Sequence, residues 1–173
     1  MKRSIRRGVF ETNSSSSHSL VIHPGWDKVE LREDYSDCFR SDPYGEYILC
    51  EACEFGWGPD SVDTTQEKLE YLLAMTMSNC DSWVVTWNQY SEMNDFKKLE
   101  EWVREHTKFK GIRIPNHRGN GVYEEDEEMT DGMYVDHQSM YPCIDAFLED
   151  WGLTLTQYLL DNNVFVIIDN DNH

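Results

Sequence analysis

Positive charge is scarce in this sequence of 173 residues: 15 Lys and Arg stand against 33 Asp and Glu, a net charge of −18. So acidic a body argues against broad, non-specific nucleic-acid binding, which depends on neutralising phosphates, and little affinity for free nucleic acid is expected. It favours solubility and attraction to basic protein surfaces, nucleic-acid-binding channels among them. Also missing is any run of roughly 20 apolar residues, so no membrane association through a spanning helix is expected. The basic start leads into a serine tract and not into an apolar stretch, which excludes a secretory signal at that point. Five cysteines, an odd number, without such a signal argue for reduced thiols and a cytoplasmic protein.

Motifs of well-known chemistry are absent as well. There is no Walker phosphate loop, no Gly-x-Gly-x-x-Gly, no His-Glu-x-x-His and no Gly-x-Ser-x-Gly, which leaves P-loop nucleotide binding, zinc proteolysis and α/β-hydrolase chemistry unsupported. Cys50-Glu51-Ala52-Cys53 is the one Cys-x-x-Cys. A structural zinc needs two further ligands, and no second pair stands at ribbon or finger spacing. A thioredoxin-type role needs the motif to open a helix, whereas here it follows an apparent strand. Both are read as core or edge cysteines.

What is present suits one α+β domain over residues 1–173, long enough to bury a core unaided. Ser19–Ile22 reads as a short strand, Asp42-Pro43-Tyr44-Gly45 as a turn and Tyr47–Cys50 as a buried strand. Thr64 and Glu67 form a capping box for a helix from about Thr65 to Met77, with Leu69, Leu72, Leu73 and Met77 on one face. Trp83–Trp87 reads as a strand, and Glu92–His106 as a helix capped by Ser91. Ile112–Ile114 and Met133–Val135 are short strands, and residues 116–132 an exposed, mobile acidic loop around Glu124–Glu128. Ile144–Trp151 reads as a helix stopped by Gly152, and Thr154 caps another through Leu160. Val164–Ile168 suits a central strand buried on both faces. Three to four helices thus pack on a mixed or antiparallel sheet.

The chemistry-bearing stretch is Gly8–Leu20. It holds Glu11, Asn13, Ser14, Ser15, Ser16, Ser17 and His18, just after Arg3, Arg6 and Arg7. Serine-rich turns offer backbone N–H groups and hydroxyls that cradle an anion such as phosphate, and arginine forks suit phosphate oxygens. Glu11 and His18 are the residues there able to move a proton near neutrality. A second polar island, Asp136-His137-Gln138-Ser139, follows the 133–135 strand, with His137 and Ser139 as further candidate contacts to substrate.

The run Arg7-Gly8-Val9-Phe10-Glu11-Thr12-Asn13-Ser14-Ser15-Ser16-Ser17-His18-Ser19, with Glu54-Phe55-Gly56-Trp57 and the 136–139 island as later landmarks, resembles a group of small phage and mobile-element proteins. That group includes broad-spectrum type II-A anti-CRISPR proteins that inactivate Cas9 by truncating its guide RNA. The resemblance implies a phage anti-defence protein in a bacterial host cell, a Cas9-like RNA-guided nuclease with its guide RNA as partner, and a required N-terminal glutamate falling on Glu11.

RNA cleavage needs a base for the 2′-hydroxyl, an acid for the leaving oxygen and cations around the phosphate. Glu11, His18 and the arginines at 3, 6 and 7 can supply these. Alternatively, Glu11 and Asp136 can hold a Mg²⁺ ion for the electrophilic work. Two other functions stay open. One is a non-enzymatic inhibitor whose carboxylates imitate nucleic-acid phosphate; the other is a small-molecule or nucleotide enzyme on the same N-terminal stretch.

Overall fold

The computed structural model describes residues 2–5, 16–22, 32–55, 60–80, 85–116, 121–129, 133–135 and 141–170. For residues 2–5, 16–22, 60 and 169–170 the description is of the backbone alone.

Around helix α1 (Thr65–Ser78) the rest is assembled. Its start follows from two reciprocal bonds: Thr64 Oγ1 accepts the Glu67 N–H at 3.2 Å and the Glu67 carboxylate accepts the Thr64 N–H at 3.1 Å. Nine consecutive residues, Lys68–Thr76, are buried, so this helix is enclosed on all sides and not on one stripe.

One flank of α1 meets the main sheet, whose strand order is β1 (Lys2–Ile5), β2 (Ser16–Ile22), β10 (Val164–Asn170), β5 (Asp60–Val62), every pairing antiparallel. Val164, Val166, Ile168 and Val62 form its buried row. Strand β10 is interior to the sheet, as its apolar run predicts. Phe165 and Ile167 on its other face are only half-buried, so it is not enclosed on both sides.

Three two-stranded ladders complete the strands of the described residues. β3 (Ile48–Leu49) pairs in parallel with β7 (Ile112–Arg113), and β4 (Glu54–Phe55) in parallel with β9 (Tyr134–Val135). β6 (Val85–Thr86) pairs antiparallel with β8 (Glu128–Met129). The fold is α+β.

The expected strand 83–87 and helix 92–106 divide differently. Trp87 opens a short helix, α2 (Trp87–Ser91), because Thr86 and Gln89 make a second capping box. Ser91 therefore ends α2 and does not cap α3 (Asn94–His106), which starts after Met93 without a side-chain cap. Phe96, Leu99, Trp102 and Val103 face inward as their spacing predicts. His106 ends α3 stacked on Trp102, ring centroids 4.7 Å apart, with its Nδ1 2.9 Å from the Trp102 carbonyl.

Helix α4 (Ile144–Trp151) stops at Gly152, which takes the left-handed φ of 65° that favours glycine. Helix α5 (Leu155–Leu160) starts on a third box, Thr154 with Gln157. Phe147 of α4 sits between the rings of Tyr141, Tyr158 and Tyr71 at 5.2, 5.1 and 6.1 Å; such pairs add about 0.5–1.5 kcal/mol each beyond burial.

Candidate functional site at one end of the main sheet

Strand β2 begins at Ser16, three residues before the expected start, and this changes what the serine tract can do. Ser16, Ser17 and His18 pair with Asn170, Asp169 and Ile168 of β10. They are strand residues, not turn residues. Their backbone amides belong to a ladder position, and successive residues alternate between the two faces of the sheet. His18 shares its row with Ile168, and across β10 with Asp60 of β5.

The start of β2, the end of β1 at Ile5, the end of β10 and the start of β5 therefore meet at one end of the sheet. That end carries Ser16, Ser17, His18, Asp60, Asp169 and Asn170. Arg3 stands apart from it: it pairs with Val21, three positions along β2 from His18, or roughly 10 Å. Glu11, Arg6, Arg7, Asn13, Ser14, Ser15, Asp136, His137 and Ser139 lie outside the described residues, as does Trp57.

The described residues that flank the two later landmarks pair with each other. Phe55 pairs with Val135, so residues 56–59 and 136–140 both depart from the same end of the β4–β9 ladder. Only four residues separate Phe55 from Asp60 at the sheet end, a span of at most about 18 Å.

The Cys-x-x-Cys is part of a different polar cluster. Glu70 on α1 is buried, and its Oε1 accepts from Arg40 Nη2 at 2.7 Å, Gln66 Nε2 at 2.8 Å and the Glu51 N–H at 2.9 Å. Cys53 Sγ points to its other oxygen at 3.9 Å, and Gln66 Nε2 lies 3.7 Å from Cys50 Sγ. Burial, then the Glu70 charge, pushes the Cys53 thiol up to about 11 and the Cys50 thiol well above its ordinary range. Both therefore stay protonated near neutrality, which makes them weak nucleophiles. Among the described residues no group of three or more His, Cys, Asp or Glu is arranged to hold a metal ion.

Lys68, two residues before Glu70, is also fully buried and donates to the Asp161 carbonyl at 2.8 Å, at the C-terminal end of α5. Desolvation lowers it to about 8 against the pull of Asp161 and Asp63. Neither charge stands out in the sequence as a buried group. Their signal is two charged residues inside a helix whose apolar positions are too many for one face.

The acidic stretch is exposed, as expected, but it is not a featureless loop. Glu128 and Met129 form β8, the Glu127 N–H bonds the Glu124 carbonyl at 3.0 Å, and Glu127 Oε2 accepts the Glu124 N–H at 3.2 Å. The Glu125 and Glu127 carbonyls accept from the Asn88 and Trp87 N–H groups at 2.9 and 3.0 Å, tying the turn to the start of α2. Glu124–Glu127 and Asn116 line an open concavity of about 700 Å³, with no cation among its described lining residues.

Compared with protein-family models, curated proteins and solved structures, the chain matches none. Among the described residues no helix is long and apolar enough to cross a membrane.

Proposed function

We propose that this is a phage or prophage anti-defence protein that docks on an RNA-guided, Cas9-like nuclease and cuts its bound guide RNA, with Glu11 as base and His18 as acid. The observation that carries this reading is the register of the main sheet. It sets the positions of Ser16, His18, Asp60 and Asn170 on one face, and those of Ser17 and Asp169 on the other, at the end from which the segment holding Glu11 runs on. In the proposed step Glu11 takes the proton of a 2′-hydroxyl, whose oxygen attacks the adjacent phosphorus. The bond to the 5′-oxygen breaks, His18 protonates that oxygen, and a 2′,3′-cyclic phosphate and a 5′-hydroxyl result. Arg6 and Arg7 would balance phosphate charge. An acidic protein attracts free RNA poorly, but a guide already held by a basic effector is reached by docking through the acidic surface.

A second reading is favoured by the ordered acidic turn: a non-enzymatic inhibitor whose Glu124, Glu125, Asp126 and Glu128 imitate phosphates in a basic channel. One experiment separates the two. Assembled Cas9–guide complex is incubated with wild type, with Glu11→Gln and with a variant neutralised at 124, 125, 126 and 128, with and without added Mg²⁺, and the guide is run on a denaturing gel. A shortened guide with wild type and an intact one with Glu11→Gln is the expected result. An intact guide with target cleavage lost only when the four acids are present would overturn the nuclease in favour of the mimic.

A further inference from the structure

Three of the eight lysines and arginines beyond residue 40, Arg104, Lys110 and Arg113, line one groove of about 390 Å³. Among the described residues Glu100 is the one carboxylate in the lining, and Glu46 and Asp42 stand just outside it beside Lys110 and Arg113. Aromatic rings stand beside the cations: Tyr47 and Trp87 line the same space, both half-buried.

The cations are held in place with donors to spare. Arg113 lies over Tyr47, its guanidinium carbon 3.8 Å from the ring centroid. Its nearest carboxylate, Asp42, is 3.8 Å away, beyond hydrogen-bond reach, and Asp42 Oδ1 already accepts from the Glu46 and Tyr47 N–H groups at 2.7 and 3.2 Å. Arg104 spends Nε on the Lys110 carbonyl at 2.9 Å and Nη2 on Glu100, which leaves Nη1. Glu100 also accepts the Ile112 N–H at 3.3 Å, which fixes its place in the groove. Lys110 pairs with Glu46 at 2.5 Å through one of its three protons.

A guanidinium held over a tyrosine ring on one side can meet another flat ring on the other, and bases stack on arginine planes and on Trp in this way. Forked donors beside it suit phosphate oxygens. We infer that this groove binds a nucleoside monophosphate unit, its base on the Arg113 and Trp87 planes and its phosphate on Arg104 and Lys110. The unit is either a free nucleotide or one residue of a single strand. The groove uses none of the residues of the proposed cutting site, so the inference stands or falls without it.

The test is calorimetric titration of the full chain with AMP, with adenosine, with inorganic phosphate and with a six-nucleotide RNA lacking terminal phosphates. AMP is expected to bind roughly tenfold or more tightly than adenosine or phosphate, and Arg113→Gln and Arg104→Gln each to weaken it roughly tenfold. Lys97→Gln, the same charge change at an exposed site on α3 outside the groove, is expected to leave it unchanged. RNA bound more tightly than AMP, and weakened by the same two variants, identifies the ligand as a strand; AMP alone identifies a free nucleotide. AMP bound no better than phosphate, or equally weakened by Lys97→Gln, means a non-specific anion effect and overturns the inference, as does no binding of either AMP or RNA.

Discussion

Helix α1 and the acidic turn at 124–128 carry the same kinds of charge and use them in opposite ways. In α1, Lys68 and Glu70 are buried and each meets donors or acceptors from far along the chain. In the turn, Glu124, Glu125, Asp126 and Glu128 are exposed, and it is the backbone, not their charge, that ties the turn to the start of α2. A buried charge is kept only if matched, because an unmatched one is too costly to desolvate. An exposed one needs no match and remains free to attract a partner. The first kind specifies this fold; the second leaves the fold nearly indifferent and shapes the surface.

The contrast should appear in stability measurements. Glu70→Ala leaves the Glu51 N–H without its acceptor and Gln66 Nε2 with the Leu49 carbonyl at 3.1 Å in place of the carboxylate, and chemical denaturation is expected to show a loss of roughly 3 kcal/mol. Arg40, about half exposed, can turn to water, which holds the loss to that size. A loss below about 1 kcal/mol would make the cluster decorative.

Lys68 is tested through pH. Its folded pKa, about 8, lies below its ordinary 10.5, so between those values the unfolded chain binds the extra proton. Raising the pH across that window therefore stabilises the folded state. Wild type is expected to gain about 2–3 kcal/mol on Lys68→Met from pH 8 to pH 10.5. A difference that stays flat with pH would show that the ammonium is not desolvated. Smallest of all, neutralising 124, 125, 126 and 128 together is expected to move stability by no more than about 0.5 kcal/mol per site, upward where self-repulsion is relieved. A large loss would mean that these side chains hold the turn after all.

Local signals were legible in the sequence, and long-range ones were not. Thr64 with Glu67, Thr154 and Gly152 each act within a few residues, so the ends of α1, α4 and α5 could be read directly. Trp87 was misread because its aromatic, β-branched surroundings resemble a strand, while the Thr86–Gln89 box, equally local, turns the chain into a helix. Ser16–His18 resembled a turn by composition, but pairing with β10 overrides that preference. No spacing rule announces that Lys68 will meet residue 161, or Glu70 residue 40. Of the proposed cutting site, the strand half of the serine tract is placed by the sheet, and Glu11 rests on the sequence.

Strand β10 has one more consequence, and it concerns time. It separates β2 from β5 in the sheet, yet it is synthesised about 140 residues after β2, on the order of ten seconds later at ordinary elongation rates. Until then β2 has only β1 beside it, and a lone two-stranded ribbon is marginal in water. The N-terminal residues proposed for catalysis are thus among the first made and the last secured. A nascent chain would carry them without the scaffold that positions them.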